Sequence, residues 1–251
     1  MSDTTPQRTL LLTGASRGIG HATVKKFAAE GWRVISCSRQ AFSPDCPWPG
    51  GERNHIQVDL ADPQQTMEAV RIVKERLDGG RLDALVNNAG VIEPVARLEE
   101  SDPAQWAKVV DINLMGVYNG MHAAFDALKA SRGTVVNVSS GAALNALEGW
   151  SHYCATKAAV LSLTRSGHKE WGPLGITVVG MSPGTVATDM QVVITKSGMN
   201  PISTLEWSDH IPAEWAGRAI AFLCTDAGAA YAGTDFSLKT EEGRRAVGLL
   251  D

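Results

Sequence analysis

A short apolar run, Thr9 to Leu12, passes through Thr13-Gly14-Ala15-Ser16-Arg17-Gly18-Ile19-Gly20 into an amphipathic stretch that reaches about Ala29 and closes at Gly31. This strand, glycine turn and helix in immediate succession constrain the fold more than any other stretch. Glycines let the backbone turn sharply and approach a ligand closely, and the helix start presents unpaired N–H groups and the positive end of its dipole. A pyrophosphate fits such a turn, and the turn belongs at the carboxyl edge of an open parallel sheet.

The rest of the chain repeats the alternation of short apolar runs with longer amphipathic ones, which argues for βαβ units. Strands are expected at Arg33 to Cys37, Ile56 to Val58, Leu82 to Val86, Thr134 to Val138, Ile176 to Met181 and Asp235 to Leu238. Helices are expected from Asp62-Pro63 onward, over Pro103 to Ala130 and over Ser151 to Trp171, with a proline- and glycine-rich loop at Ser43 to Arg53. No repeat or composition shift marks a boundary. The expectation is an α/β chain forming one doubly wound Rossmann-type domain with a mostly parallel seven-stranded sheet, residues 1–251.

Hydrophobic residues make up 44% of the 251 and charged residues 20%, so the chain can bury a core. A net charge of −4 without a basic cluster argues against nucleic acid and anionic membrane as partners. No apolar run reaches the ~18 residues of a membrane span, and Met1 to Arg8 carries no apolar leader core. Cys37, Cys46, Cys154 and Cys224 lack metal-type spacing and read as free thiols in a reducing cytoplasm. The six histidines give a metal site no support.

Two further patterns carry chemistry. The second strand ends Ser36-Cys37-Ser38-Arg39, without the carboxylate that holds a ribose 2′-hydroxyl. Arg17 and Arg39 can instead cradle a 2′-phosphate, which favours NADP(H) over NAD(H). Tyr153 and Lys157 are four apart and share a helix face. An ammonium beside a phenol is expected to lower the phenol's pKa from ~10 toward working pH, so that it can pass a proton to or from a carbonyl or alcohol oxygen.

The glycine turn, Asn87-Asn88-Ala89-Gly90, Asn113, Ser140, Tyr153-Cys154-Ala155-Thr156-Lys157 and Pro183-Gly184 follow in one order. This ordered set resembles the short-chain dehydrogenase/reductase family over roughly Thr9 to Phe236. The resemblance implies Asn113, Ser140, Tyr153 and Lys157 as catalytic residues. It implies cofactor contacts from Gly14, Ser16, Arg17, Gly18, Ile19 and Gly20, from Ser38, Arg39, Asp59 and Leu60, and from Asn87, Ala89 and Gly90. Tyr153, Lys157, Pro183, Gly184, Val186 and Thr188 complete the cofactor set. Asp59 would meet the adenine, and Asn113 would support a water chain to the lysine. Ser140, thirteen residues before Tyr153, would reach the same substrate oxygen, while strand alternation turns Ser139 to the opposite face.

The implied activity is hydride transfer between NADPH and a ketone, diketone or aldehyde. A 3-oxoacyl-carrier-protein reductase is the alternative, and a non-catalytic dinucleotide sensor is the rival from another class. A lid is expected at 188–211, where Met190, Val192, Met199, Pro201, Leu205 and Trp207 suit an apolar substrate; Trp150 and His152 are expected to join them. The string Gly149 to Lys157 and Thr188-Asp189-Met190 are similar to the sepiapterin reductase and benzil reductase branch. Helices around Val109 to Leu128 and Ala155 to Trp171 match those that pair subunits, which implies a homodimer or homotetramer. The segment 239–251 departs from the family's usual Asp-Gly-Gly ending and reads as a polar, helical tail.

Overall fold

The strands β1 (Thr9–Thr13), β2 (Arg33–Ser38), β3 (His55–Gln57), β4 (Ala84–Asn87), β5 (Thr134–Val138), β6 (Thr177–Ser182) and β7 (Asp235–Ser237) form one seven-stranded sheet. The computed structural model describes residues 7–43, 50–77 and 80–250. Cys46 and the prolines of the expected loop at Ser43 to Arg53 lie outside the described residues. The strand order is β3-β2-β1-β4-β5-β6-β7 and every pairing is parallel. A parallel sheet covered on both faces needs strands buried throughout. Accordingly, all five residues of β1 are buried.

Side-chain alternation along β1 feeds two cores. Leu10 and Leu12 join Val24, Phe27 and Ile220 on one face, where α1 (Gly18–Ala29) packs against α7 (Ala213–Leu223). Leu11 joins Met121 and Leu128 on the other, beneath α2 (Pro63–Leu77) and α4 (Gly116–Ser131). The strand order reverses between β1 and β4, so the crevice opens at the carboxyl ends of those two strands.

The expected helix at Pro103 to Ala130 is not uniform. It runs as α3 (Pro103–Val110), a single π turn over Asp111–Met115, then α4. One extra residue in that turn resets the helix face and leaves Asn113 wholly buried. The remaining helices are α5 (Ser151–Trp171), α6 (Asp189–Ser197) and α8 (Glu241–Ala246). The tail is helical as expected but not wholly polar, since Val247 joins the first core. No helix among the described residues is long and apolar enough to cross a membrane.

Candidate active site

A cavity of about 850 Å³ runs along the carboxyl edge of the sheet. One end is the glycine turn. Gly14 (φ +71°) and Gly18 (φ +54°) hold left-handed backbone that disfavours a side chain, and Gly14, Ser16, Arg17, Gly18 and Ile19 face the cavity. Gly20 does not face it. A Cβ there would lie 2.0 Å from the Gly14 carbonyl oxygen, so Gly20 fixes the shape of the turn from behind. The first turn of α1 has neither a capping side chain nor an acidic residue, which leaves its N–H groups for an anion. These features fit a dinucleotide's pyrophosphate.

Ser38 at the end of β2 with Arg39 just after it, and Asp59 and Leu60 after β3, form the far wall of the same end. The Asp59 carboxylate also accepts from the Ala61 amide at 3.0 Å, so it shapes its own turn while facing the cleft. No carboxylate closes β2. Arg17, however, is not free. Its guanidinium donates to Asp189, at the start of α6, at 2.8 Å across a sequence gap of 172 residues. Both side chains are more than half exposed, so the pair is a weak tie.

The segment after β4 separates two adjacent asparagines. Ala89 and Gly90 line the cleft as expected, but Asn87 does not. Its amide turns inward, donating to Asn137 at 2.8 Å, and Asn137 donates on to Thr164 at 2.9 Å. Asn88, absent from the expected contacts, takes the cleft position. Its Nδ2 donates to the carbonyls of Thr13 and Gly14, both at 3.0 Å, and ties the glycine turn to β4.

At the other end, β5 delivers Ser140 and α5 delivers Tyr153 and Lys157 to one wall. The Ser140 hydroxyl oxygen accepts from the Ala142 amide at 3.2 Å, and its proton is donated to the Tyr153 oxygen. Lys157 donates to the Val138 carbonyl at 2.7 Å, and its Nζ lies 5.6 Å from the centre of the Tyr153 ring. Tyr153 and Lys157 are both buried. The Ser139 hydroxyl is turned to β7, donating to Asp235 at 3.2 Å, although Ser139 also borders the cavity; Ser182 donates to the same carboxylate oxygen at 2.8 Å.

Burial sets the protonation of this wall. The Tyr153 phenol is pushed up to about 12 by desolvation, against which the Ser140 hydrogen bond pulls down. The expected lowering by Lys157 is therefore not what the structure has. Desolvation also pushes Lys157 down to about 8, opposed by the charge of Asp235. With two buried groups each disfavouring its charged form, the phenol stays protonated at neutral pH.

Asn113 stands behind this wall, not in it. Its Nδ2 donates to the Val91 carbonyl and its Oδ1 accepts from the Val91 amide, both at 2.9 Å. A longer bond of 3.3 Å reaches Thr156 on α5. Pro183, Gly184, Val186 and Thr188 line the cavity after β6, as expected. Of the expected lid and pocket residues, Met190 and Trp150 line it as well. Val192 and Trp207 are exposed instead, and His152 is fully buried, its Nε2 bonded to the Ile92 carbonyl at 2.7 Å.

A model of the short chain dehydrogenases matches residues 8–197, which span the glycine turn, Ser140, Tyr153 and Lys157. The chain belongs to the short-chain dehydrogenase family. Protein FixR of Bradyrhizobium diazoefficiens is 39% identical over 243 residues, covering 91% of this chain and 84% of that protein. A 3-oxoacyl-[acyl-carrier-protein] reductase of Synechocystis is 34% identical, covering 88% and 90%. Among solved structures, an oxidoreductase of this family from Brucella ovis, in complex with a partially ordered NAD, superposes with a TM-score of 0.75 at 38% identity. That match covers 92% of this chain and 99% of the other. The chain is thus a short-chain oxidoreductase acting between alcohol and carbonyl groups.

Proposed function

We propose that the protein interconverts a carbonyl compound and its alcohol using NADP(H). The observation that carries this is the convergence of Ser140, Tyr153 and Lys157 on one wall of a cavity whose opposite end is the glycine turn. A nicotinamide bound in that cavity supplies or accepts the hydride.

The side chains divide the remaining work. Ser140 accepts from Ala142, and its single proton, which meets the Tyr153 oxygen in the cofactor-free cavity, is the one it turns to the substrate oxygen. Tyr153, held protonated by burial, donates its phenolic proton to that oxygen in reduction and takes it back in oxidation. Lys157 spends one proton on Val138 and keeps its charge beside the phenol, where it stabilises the tyrosinate left after proton transfer. Asn113 acts through others, fixing the backbone at Val91 and bracing α5 through Thr156.

NADP(H) is preferred because Arg39 follows β2 without a carboxylate neighbour, and because the Arg17–Asp189 pair is exposed enough to open for a 2′-phosphate. A carrier-bound acyl group, named for the Synechocystis relative, is the second reading. The test is a panel of ketones, diketones, aldehydes and a 3-oxoacyl thioester, followed at the absorbance band of the reduced nicotinamide with NADPH and NADH in parallel. Turnover with NADPH in excess of NADH is expected. A clear preference for NADH refutes the roles given to Arg17 and Arg39, and no turnover of any compound refutes the enzyme reading.

A further inference from the structure

Among the described residues, seven charged side chains line the cavity, and most are accounted for. Arg17 and Asp189 pair with each other, Lys157 is buried on the Val138 carbonyl, and Arg39 and Asp59 stand at the end beside the glycine turn. Two remain, Glu93 and Lys239. Lys239 follows β7 and is carried over the reacting end by the β6–β7 pairing, whose last rung joins Ser182 to Ser237. Its stem lies along the loop after β6, since a Cβ built on Gly184 would sit 3.2 Å from Lys239 Cγ. Its ammonium reaches the loop after β5, 3.9 Å from a Cβ built on Gly141, the residue next to Ser140.

That ammonium has no hydrogen bond or ion pair among the described residues, and Lys239 is exposed toward the cleft mouth. Ile92, Leu147, Trp150, Met190, Ile194 and Ile202 make the surroundings of the reacting end largely apolar, and the Asn145 and Gln191 amides that also line the cavity are spent on the Gly141 and Ile202 carbonyls. A largely apolar chamber with an unpaired cation beside the oxygen-anchoring serine selects for a particular kind of molecule. Glu93, the other unpaired charge, belongs to the segment after β4.

We propose that Lys239 is a substrate-positioning residue that binds an anionic group, and that the substrate is an apolar oxo acid or hydroxy acid whose carboxylate lies apart from its reacting carbon. This inference rests on the reading of the cavity as a carbonyl–alcohol oxidoreductase site. A remote charge held equally in the ground and transition states acts on KM and not on kcat.

The test uses levulinate and its two longer homologues, each against its methyl ester, with the wild-type holoenzyme and with Lys239→Met, Lys239→Arg and Lys239→Glu. A hydrogen bond to a charged group predicts a fall of about 10-fold or more in the acid-to-ester ratio of kcat/KM for Lys239→Met, carried by KM. Lys239→Arg is expected to restore most of the ratio, and Lys239→Glu to fall below Lys239→Met. Should the esters turn over while the ratio is the same in wild type and Lys239→Met, the carboxylate site is refuted and the oxidoreductase reading stands. Should neither acids, esters nor any compound of the wider carbonyl panel turn over, both are refuted.

Discussion

Lys157 is held in the fold against its own solvation, and replacing it should stabilise the cofactor-free protein at neutral pH. Its pKa falls from an ordinary 10.5 to about 8, chiefly through burial, with Asp235 opposing. Below pH 8 the ammonium is charged in both folded and unfolded chains, so the folded state carries the full cost. That lowering corresponds to about 3 kcal/mol. As pH rises from 8 to 10.5 the folded protein releases this proton while the unfolded chain keeps it, so wild-type stability rises with pH. Lys157→Met removes the charge but leaves the Val138 carbonyl without its donor, which costs ~1–3 kcal/mol. The variant is therefore expected to gain about 1 kcal/mol at pH 6.5, equivalent to ~2–4 °C in Tm for a chain of this size. It should then fall behind the wild type by pH 10. Tyr153 does not confuse this window, because its raised pKa keeps it neutral in the folded state through most of it. Urea unfolding of both proteins at several pH values between 6.5 and 10 measures the difference. A difference that does not change with pH would refute the argument that Lys157 sits desolvated in the fold.

Gly20→Ala should deform the glycine turn, because the new methyl would stand 2.0 Å from the Gly14 carbonyl oxygen and 2.6 Å from Asn88 Nδ2. Overpacking of this kind costs ~1–3 kcal/mol, and dinucleotide titration by fluorescence should show affinity weakened about 10-fold or more, with the melting point lowered. Arg39→Ser should raise KM for NADPH by about 10-fold while leaving that for NADH within ~2-fold, as expected for loss of a charge-assisted phosphate contact.

Local spacing made much of this molecule readable. The strand–turn–helix at Thr9 to Ala29 placed the cleft, and the four-residue step from Tyr153 to Lys157 placed both on one wall. What sequence reasoning missed depends on distant packing or on burial. Asn87 and Asn88 are adjacent, and only the Asn137–Thr164 network across β5 decides which turns inward. The Arg17–Asp189 tie and the reach of Lys239 over Gly184 join segments that no periodicity connects. A π turn at Asp111–Met115 adds one residue to an otherwise regular helix, invisible to a 3.6-residue pattern. The raised phenol of Tyr153 follows from desolvation, which spacing does not report.

The most direct test of the central claim is Tyr153→Phe. Removing the phenolic oxygen should leave NADPH affinity within ~2-fold of wild type and lower carbonyl reduction by ~10²–10⁴-fold, the range of a lost general acid. A Tyr153→Phe protein that binds NADPH and reduces its carbonyl at close to the wild-type rate would contradict the account.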